Sequence, residues 1–121
     1  MKNIKAFEDL DVWHSAMELV QEVYAISDRF PSNEEAVLIR QMRNVAIKIP
    51  AKIGAGYSCG RKGMEFRFYA YALATLGMLQ THLELAARFK YVPEVEIKPL
   101  FEKTEKIGRM IEKLMLPDFE E

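Results

Sequence analysis

The sequence predicts an all-α fold, an antiparallel up-and-down four-helix bundle occupying residues 1–121 as a single domain. Three observations predict it. Apolar residues recur three and four apart in four long segments, the spacing that lines one face of an α-helix. Short stretches bearing proline, glycine or a capping pattern separate the segments, and helices of comparable length with short links pack antiparallel to their sequence neighbours. Sustained period-two alternation is absent, and no Asn-Gly or Asp-Gly turn marks a hairpin.

The first helix is predicted over residues 10–27, where Val12, Trp13, Ala16, Met17, Leu19, Val20, Val23, Tyr24 and Ile26 share a face. Pro31 disfavours helical geometry at Phe30 and stops it. Ser32, followed three residues later by Glu35, has the capping-box pattern and starts a second helix over residues 33–54. Leu38, Met42, Val45, Ile49 and Ile53 form its core stripe, with Arg40 and Asn44 opposite and Arg43, Lys48 and Lys52 on its flanks. Pro50 removes one backbone hydrogen bond, which predicts a kink or an early end. Ile47 and Ala51 also point away from the core stripe. A second apolar face predicts a neighbour on that side, and these two residues are the candidate oligomer interface.

Gly54, Gly56, Gly60 and Gly63 bracket a loop, Tyr57 to Lys62, before a third helix over residues 64–90. Its inner set is Phe66, Tyr69, Ala70, Leu73, Leu76, Leu83 and Ala87, and the small Ala70, Ala72, Ala74 and Gly77 permit close approach of another helix. Pro93 or Pro99 fits the first turn of a fourth helix, whose Ile97, Leu100, Phe101, Thr104, Ile107, Ile111 and Leu114 repeat at helical spacing until Pro117.

The 121 residues are 50% hydrophobic and 29% charged, the balance of a globular chain with one core. The single cysteine, Cys59, excludes an internal disulfide and a cysteine metal knuckle, which points to a reducing, cytoplasmic setting. No stretch approaches the ~20 apolar residues that span a bilayer, so no membrane role is expected. The net charge of −1 hides a strong asymmetry. Residues 1–39 carry three Lys/Arg against eight Asp/Glu, residues 40–67 seven against one, and residues 68–121 seven against nine. A cationic middle in an acidic chain is a candidate anion-binding face.

Catalytic and metal patterns are missing. Carboxylate-bridged di-metal bundles need a Glu-x-x-His pair on each of two helices; His14 and His82 stand outside any such pair, so no metal and no cofactor is expected. Cys59 has no neighbouring histidine or carboxylate to make it a nucleophile, although Arg61 and Lys62 stand near it. The glycines around it lack the preceding strand and the Gly-Lys-Ser/Thr ending of a phosphate loop. Phe66, Phe68, Tyr69 and Tyr71, interleaved with Arg67, have the composition of a stacking surface, but helical spacing assigns most of these rings to the core. The remaining candidate is a nucleic-acid-binding set of Arg40, Arg43, Lys48, Lys52, Arg61, Lys62 and Arg67. Its alternative is neutralisation by Glu8, Asp9, Asp11, Glu18 and Glu22 of the first helix.

The order Leu10-Asp11-Val12-Trp13, Phe30-Pro31, Gln41-Met42-Arg43, Ile49-Pro50-Ala51-Lys52-Ile53 and Glu65-Phe66-Arg67-Phe68 resembles the four-helix bundle proteins encoded in intervening sequences of bacterial 23S ribosomal RNA genes. The likeness extends to about Tyr91 and rests on the combination of these pieces. That family is also similar to the accessory variability protein of diversity-generating retroelements, a pentameric barrel of such bundles that binds a reverse transcriptase and nucleic acid through basic surface. Two family glutamates are replaced here by Ala55 and Met78. If those carboxylates make buried polar contacts in relatives, apolar packing in their place is neutral or stabilising; if they serve a shared function, that function is lost here.

Together these readings predict a non-enzymatic homo-oligomer, a pentamer by resemblance, whose partner is RNA or DNA. The alternative is a protein-interaction scaffold or accessory subunit that binds a partner protein without touching nucleic acid.

Overall fold

A computed structural model describes residues 6–117. Four α-helices carry the fold: α1 (Asp11–Ser27), α2 (Arg40–Ser58), α3 (Lys62–Arg88) and α4 (Glu94–Leu114). No strand occurs among the described residues. Each helix runs antiparallel to the next. Phe7 lies beside Gly54 while Arg43 reaches Ser27, which sets the direction of α1 against α2. Gln80 donates to Thr104 at 2.9 Å between α3 and α4, and Lys103 reaches Glu18 and Glu22 between α4 and α1.

The core follows the predicted stripes. Leu38, Met42, Val45, Ile49 and Ile53 of the second helical segment are all buried, as are Ile97, Thr104, Ile107, Ile111 and Leu114 of α4. Buried hydroxyls are satisfied locally: Thr75 donates to the Tyr71 carbonyl at 2.8 Å and Ser27 to the Tyr24 carbonyl at 3.2 Å.

Several expectations are corrected. The Ser32 capping box does not form. A 3₁₀ turn at Ser32–Glu34 and a π-helical turn at Glu35–Ile39 lead into α2, with no side-chain cap, while Glu34 instead accepts a hydrogen bond from the Tyr91 hydroxyl. Pro50 neither ends α2 nor stops it at Gly54, since the helix continues to Ser58. Gly54 and Gly56 lie inside it. A Cβ at Gly56 would crowd the Tyr69 ring, whereas one at Gly54 would meet the Phe7 ring at ordinary van der Waals distance. Phe66, expected in the interior, is 53% exposed, and Met17 and Tyr24, expected on the inner face of the first helix, are exposed as well. Pro93 is the residue before α4, and Pro99 lies within it. Lys90 ends α3 at φ 59°, where the Tyr91 and Lys90 amides bond to the Ala86 and Ala87 carbonyls. Glycine is the usual residue for that geometry.

Candidate nucleic-acid interface

The seven cations of residues 40–67 divide into three groups. Arg43 turns inward to α1. Its Nε donates to Ser27 Oγ at 2.9 Å, one terminal nitrogen reaches the Tyr24 carbonyl at 3.2 Å and Asp28 at 2.6 Å, and the guanidinium lies 4.5 Å from the Tyr24 ring centroid. A cation on the last carbonyls of a helix complements its dipole, so Arg43 fastens the end of α1 to α2.

Arg40, Lys48, Arg61 and Lys62 are exposed, the first two on the outer face of α2 and the last two where α3 begins. Lys52 and Arg67 converge with aromatic groups between α2 and α3. The Lys52 ammonium sits 4.5 Å from the centroid of Tyr71 and 5.7 Å from that of Phe68. Together with Met64 these residues line a shallow cavity of about 200 Å³. Among the described residues none of Arg40, Lys48, Lys52, Arg61, Lys62 and Arg67 makes an ion pair.

Two of the first-helix carboxylates are engaged elsewhere. Glu18 and Glu22 hold Lys103 at 3.2 and 3.0 Å. Burial presses the Lys103 pKa down, but the hydrogen bonds and charges of Glu22 and Glu18 outweigh it and leave it raised. Among the described residues the ion pair from the basic set to the α1 end uses Asp28, which lies outside the expected neutralising set.

The aromatic assignment changes with this geometry. Only Tyr69 of the four rings is buried, donating its hydroxyl to Glu65 at 3.0 Å; Phe68 is half-buried, and Phe66 and Tyr71 are exposed. Burial and then the Glu65 carboxylate raise the Tyr69 pKa, so the hydroxyl stays protonated. Cys59 is half-buried, and its thiol donates to the carbonyls of Gly56 and Arg61. Among the described residues no three His, Cys, Asp or Glu side chains gather as a metal set, and no helix is long and apolar enough to cross a membrane.

Two apolar surfaces flank the cations. Ile47 and Ala51 line a groove of about 510 Å³ between α1 and α2, walled by Trp13, Met17 and Val20 and extended by Ala55. The other is the outer side of α3. Residues 68–83 contain no Asp, Glu, Lys or Arg, yet Ala74, Gly77 and Thr81 are exposed and Met78 is 51% exposed. A helix apolar on all sides ordinarily lies buried on all sides. The small residues of α3 signal close approach of a neighbour, and the length of the charge-free run, countable from the chain, is the further signal for this surface.

Comparison with known proteins places this architecture. Residues 8–113 match the family described as 23S rRNA-intervening sequence protein. A crystal structure at 1.70 Å of a protein with unknown function from the S23 ribosomal protein family of Bacteroides thetaiotaomicron VPI-5482 has the same fold. Its TM-score is 0.78 at 16% identity, covering 86% of this chain and 97% of that chain. No curated protein shows a significant match.

Proposed function

Because the chain belongs to the 23S rRNA-intervening sequence protein family, we propose that it is a non-enzymatic, homo-oligomeric bundle that associates with nucleic acid through the cations of α2 and the start of α3. The observation carrying this reading is the absence, among the described residues, of ion pairs at Arg40, Lys48, Lys52, Arg61, Lys62 and Arg67 while Glu18 and Glu22 are held by Lys103. Cations with carboxylate partners are already neutralised, whereas unpaired ones remain available to phosphate. Arg43 falls outside this surface because its donors face α1.

Self-association is supported by the apolar groove at Ile47 and Ala51 and by the charge-free run of α3, both of which a lone chain leaves in water. Five copies is the size that the sequence resemblance implies.

Binding of a mixed RNA and DNA panel tests the proposal. At about 50 mM salt the protein is expected to bind with weak sequence selectivity, and affinity should fall steeply as salt rises because neutralised phosphates release counterions. Replacing Arg61 and Lys62 with alanine should reduce the log–log salt slope by roughly two. Failure to bind any member of the panel, or binding that survives removal of all six cations, would transfer the assignment to a protein-interaction scaffold.

A further inference from the structure

The cavity between α2 and α3 combines two chemistries that the rest of the basic surface lacks. Tyr71 is 48% exposed and Met64 44% exposed, so an aromatic ring and a flexible thioether face solvent beside Lys52 and Arg67, two cations without an ion pair among the described residues. Among the described residues Arg40, Lys48, Arg61 and Lys62 have no ring contact. Cations alone attract any polyanion. An exposed ring beside them adds a planar platform, and a platform is useful only to a ligand with a free planar face.

We propose that Lys52, Met64, Arg67, Phe68 and Tyr71 form a seat for one unpaired nucleotide of a single strand, its base laid against Tyr71 and its phosphate held by Arg67 and Lys52. The proposal rests on the nucleic-acid reading above and names the form of nucleic acid which that surface takes. At about 200 Å³ the cavity is smaller than the roughly 300–1,000 Å³ pockets that enclose a whole drug-sized ligand, and it suits a single base rather than a dinucleotide.

In the free protein the Lys52 ammonium occupies the space over the Tyr71 ring. Its four-carbon stem lets the ammonium move to an incoming phosphate and leave the ring to the base. Lys62 lies five residues before Arg67, about 8 Å along the axis of α3, so a strand seated in the cavity passes toward the cations at the α2–α3 turn. A duplex gains little here. Its bases cover each other's faces and present only edges in the grooves, so it meets the cations but not the ring.

The experiment measures anisotropy of short labelled RNA and DNA single strands, and of the corresponding duplexes, with the intact protein at about 50 mM salt. Single strands are expected to bind more tightly than duplexes of the same sequence. Tyr71→Ala should lower single-strand affinity about fivefold to a hundredfold and leave duplex affinity unchanged, whereas Tyr71→Phe retains it. Arg67→Ala should lower the single-strand salt slope by about 0.7. Equal binding of RNA and DNA strands assigns recognition to base and phosphate, and a preference for RNA adds a contact to the 2′-hydroxyl; both support the seat. Equal binding of strand and duplex, unaffected by Tyr71→Ala, overturns the seat while sparing the basic surface. No binding of either form overturns both. Because Tyr71 is exposed, thermal unfolding of Tyr71→Ala should match the parent, which separates lost binding from lost folding.

Discussion

The backbone of Gly56 lies against the ring of Tyr69 so closely that a Cβ at position 56 would meet ring Cε1 at 2.7 Å and the Phe68 Cβ at 3.0 Å. Alanine is ordinarily the better helix residue by about 1 kcal/mol. Here the missing side chain is what lets α2 and α3 approach. Gly56→Ala is therefore expected to destabilise by about 1–3 kcal/mol through overpacking against a fully buried ring. Urea unfolding with an unchanged m-value and a lower midpoint would register it.

Arg43 is expected to act on folding rather than on nucleic acid. Arg43→Ala removes the donors that reach Ser27, Tyr24 and Asp28, with an expected loss of about 1–2 kcal/mol, chiefly from the Ser27 and Tyr24 contacts because the Asp28 carboxylate is largely exposed. Its salt slope for nucleic acid should equal that of the parent. A slope reduced as much as by Lys62→Ala would place Arg43 on the binding surface instead.

Self-association should depend on the groove. Multi-angle light scattering at micromolar concentration should give a mass above the 14.0 kDa of one chain. Ile47→Glu should lower that mass with little change in helicity, because Ile47 is 44% exposed in the single chain. A parent protein that runs as a clean monomer would refute the assembly.

His82 gives stability a pH dependence. Its buried Nδ1 has no hydrogen-bond partner among the described residues, and burial lowers the pKa from 6.5. The unfolded chain therefore takes up this proton at higher pH than the folded one. Stability from this group is present above about pH 6.5 and is lost as pH falls from there toward the folded value. His82→Gln should flatten the dependence of unfolding free energy between about pH 7 and pH 5, above the usual carboxylate range.

The helices and most of their inner faces were legible because burial of an apolar stripe is a local, periodic signal: Met42, Ile49 and Ile53 sit at 0% exposure as their spacing requires. What the periodicity missed depends on neighbours. Gly54 and Gly56 look like helix breakers until Phe7 and Tyr69 are placed against them. Ser32 and Glu35 have the capping pattern, but the chain enters α2 through 3₁₀ and π turns that put Glu34 under Tyr91. The pairing of Lys52 with Tyr71 was within reach. Once α2 and α3 are taken as antiparallel about a turn at residues 59–61, Lys52, seven residues before it, and Tyr71, ten after it, fall within about one helical turn of each other along the axis. Arg43 was the opposite case, since its flank position on α2 does not reveal that the end of α1 lies within reach of its guanidinium.

The π-helical turn at Glu35–Ile39 makes the entry to α2 tolerant of changes in chain length. A π turn holds one residue more than the α path it replaces. Deleting one residue there returns the segment to α geometry, and Arg40–Ser58 keeps its orientation about the helix axis. The same deletion between Val45 and Ile49 would turn one half of α2 by about 100° relative to the other. Lys52 would leave the Tyr71 ring, and Ile49 and Ile53 could no longer face the core together. Loss of one residue is thus absorbed at Glu35–Ile39 and breaks the core stripe between Val45 and Ile49.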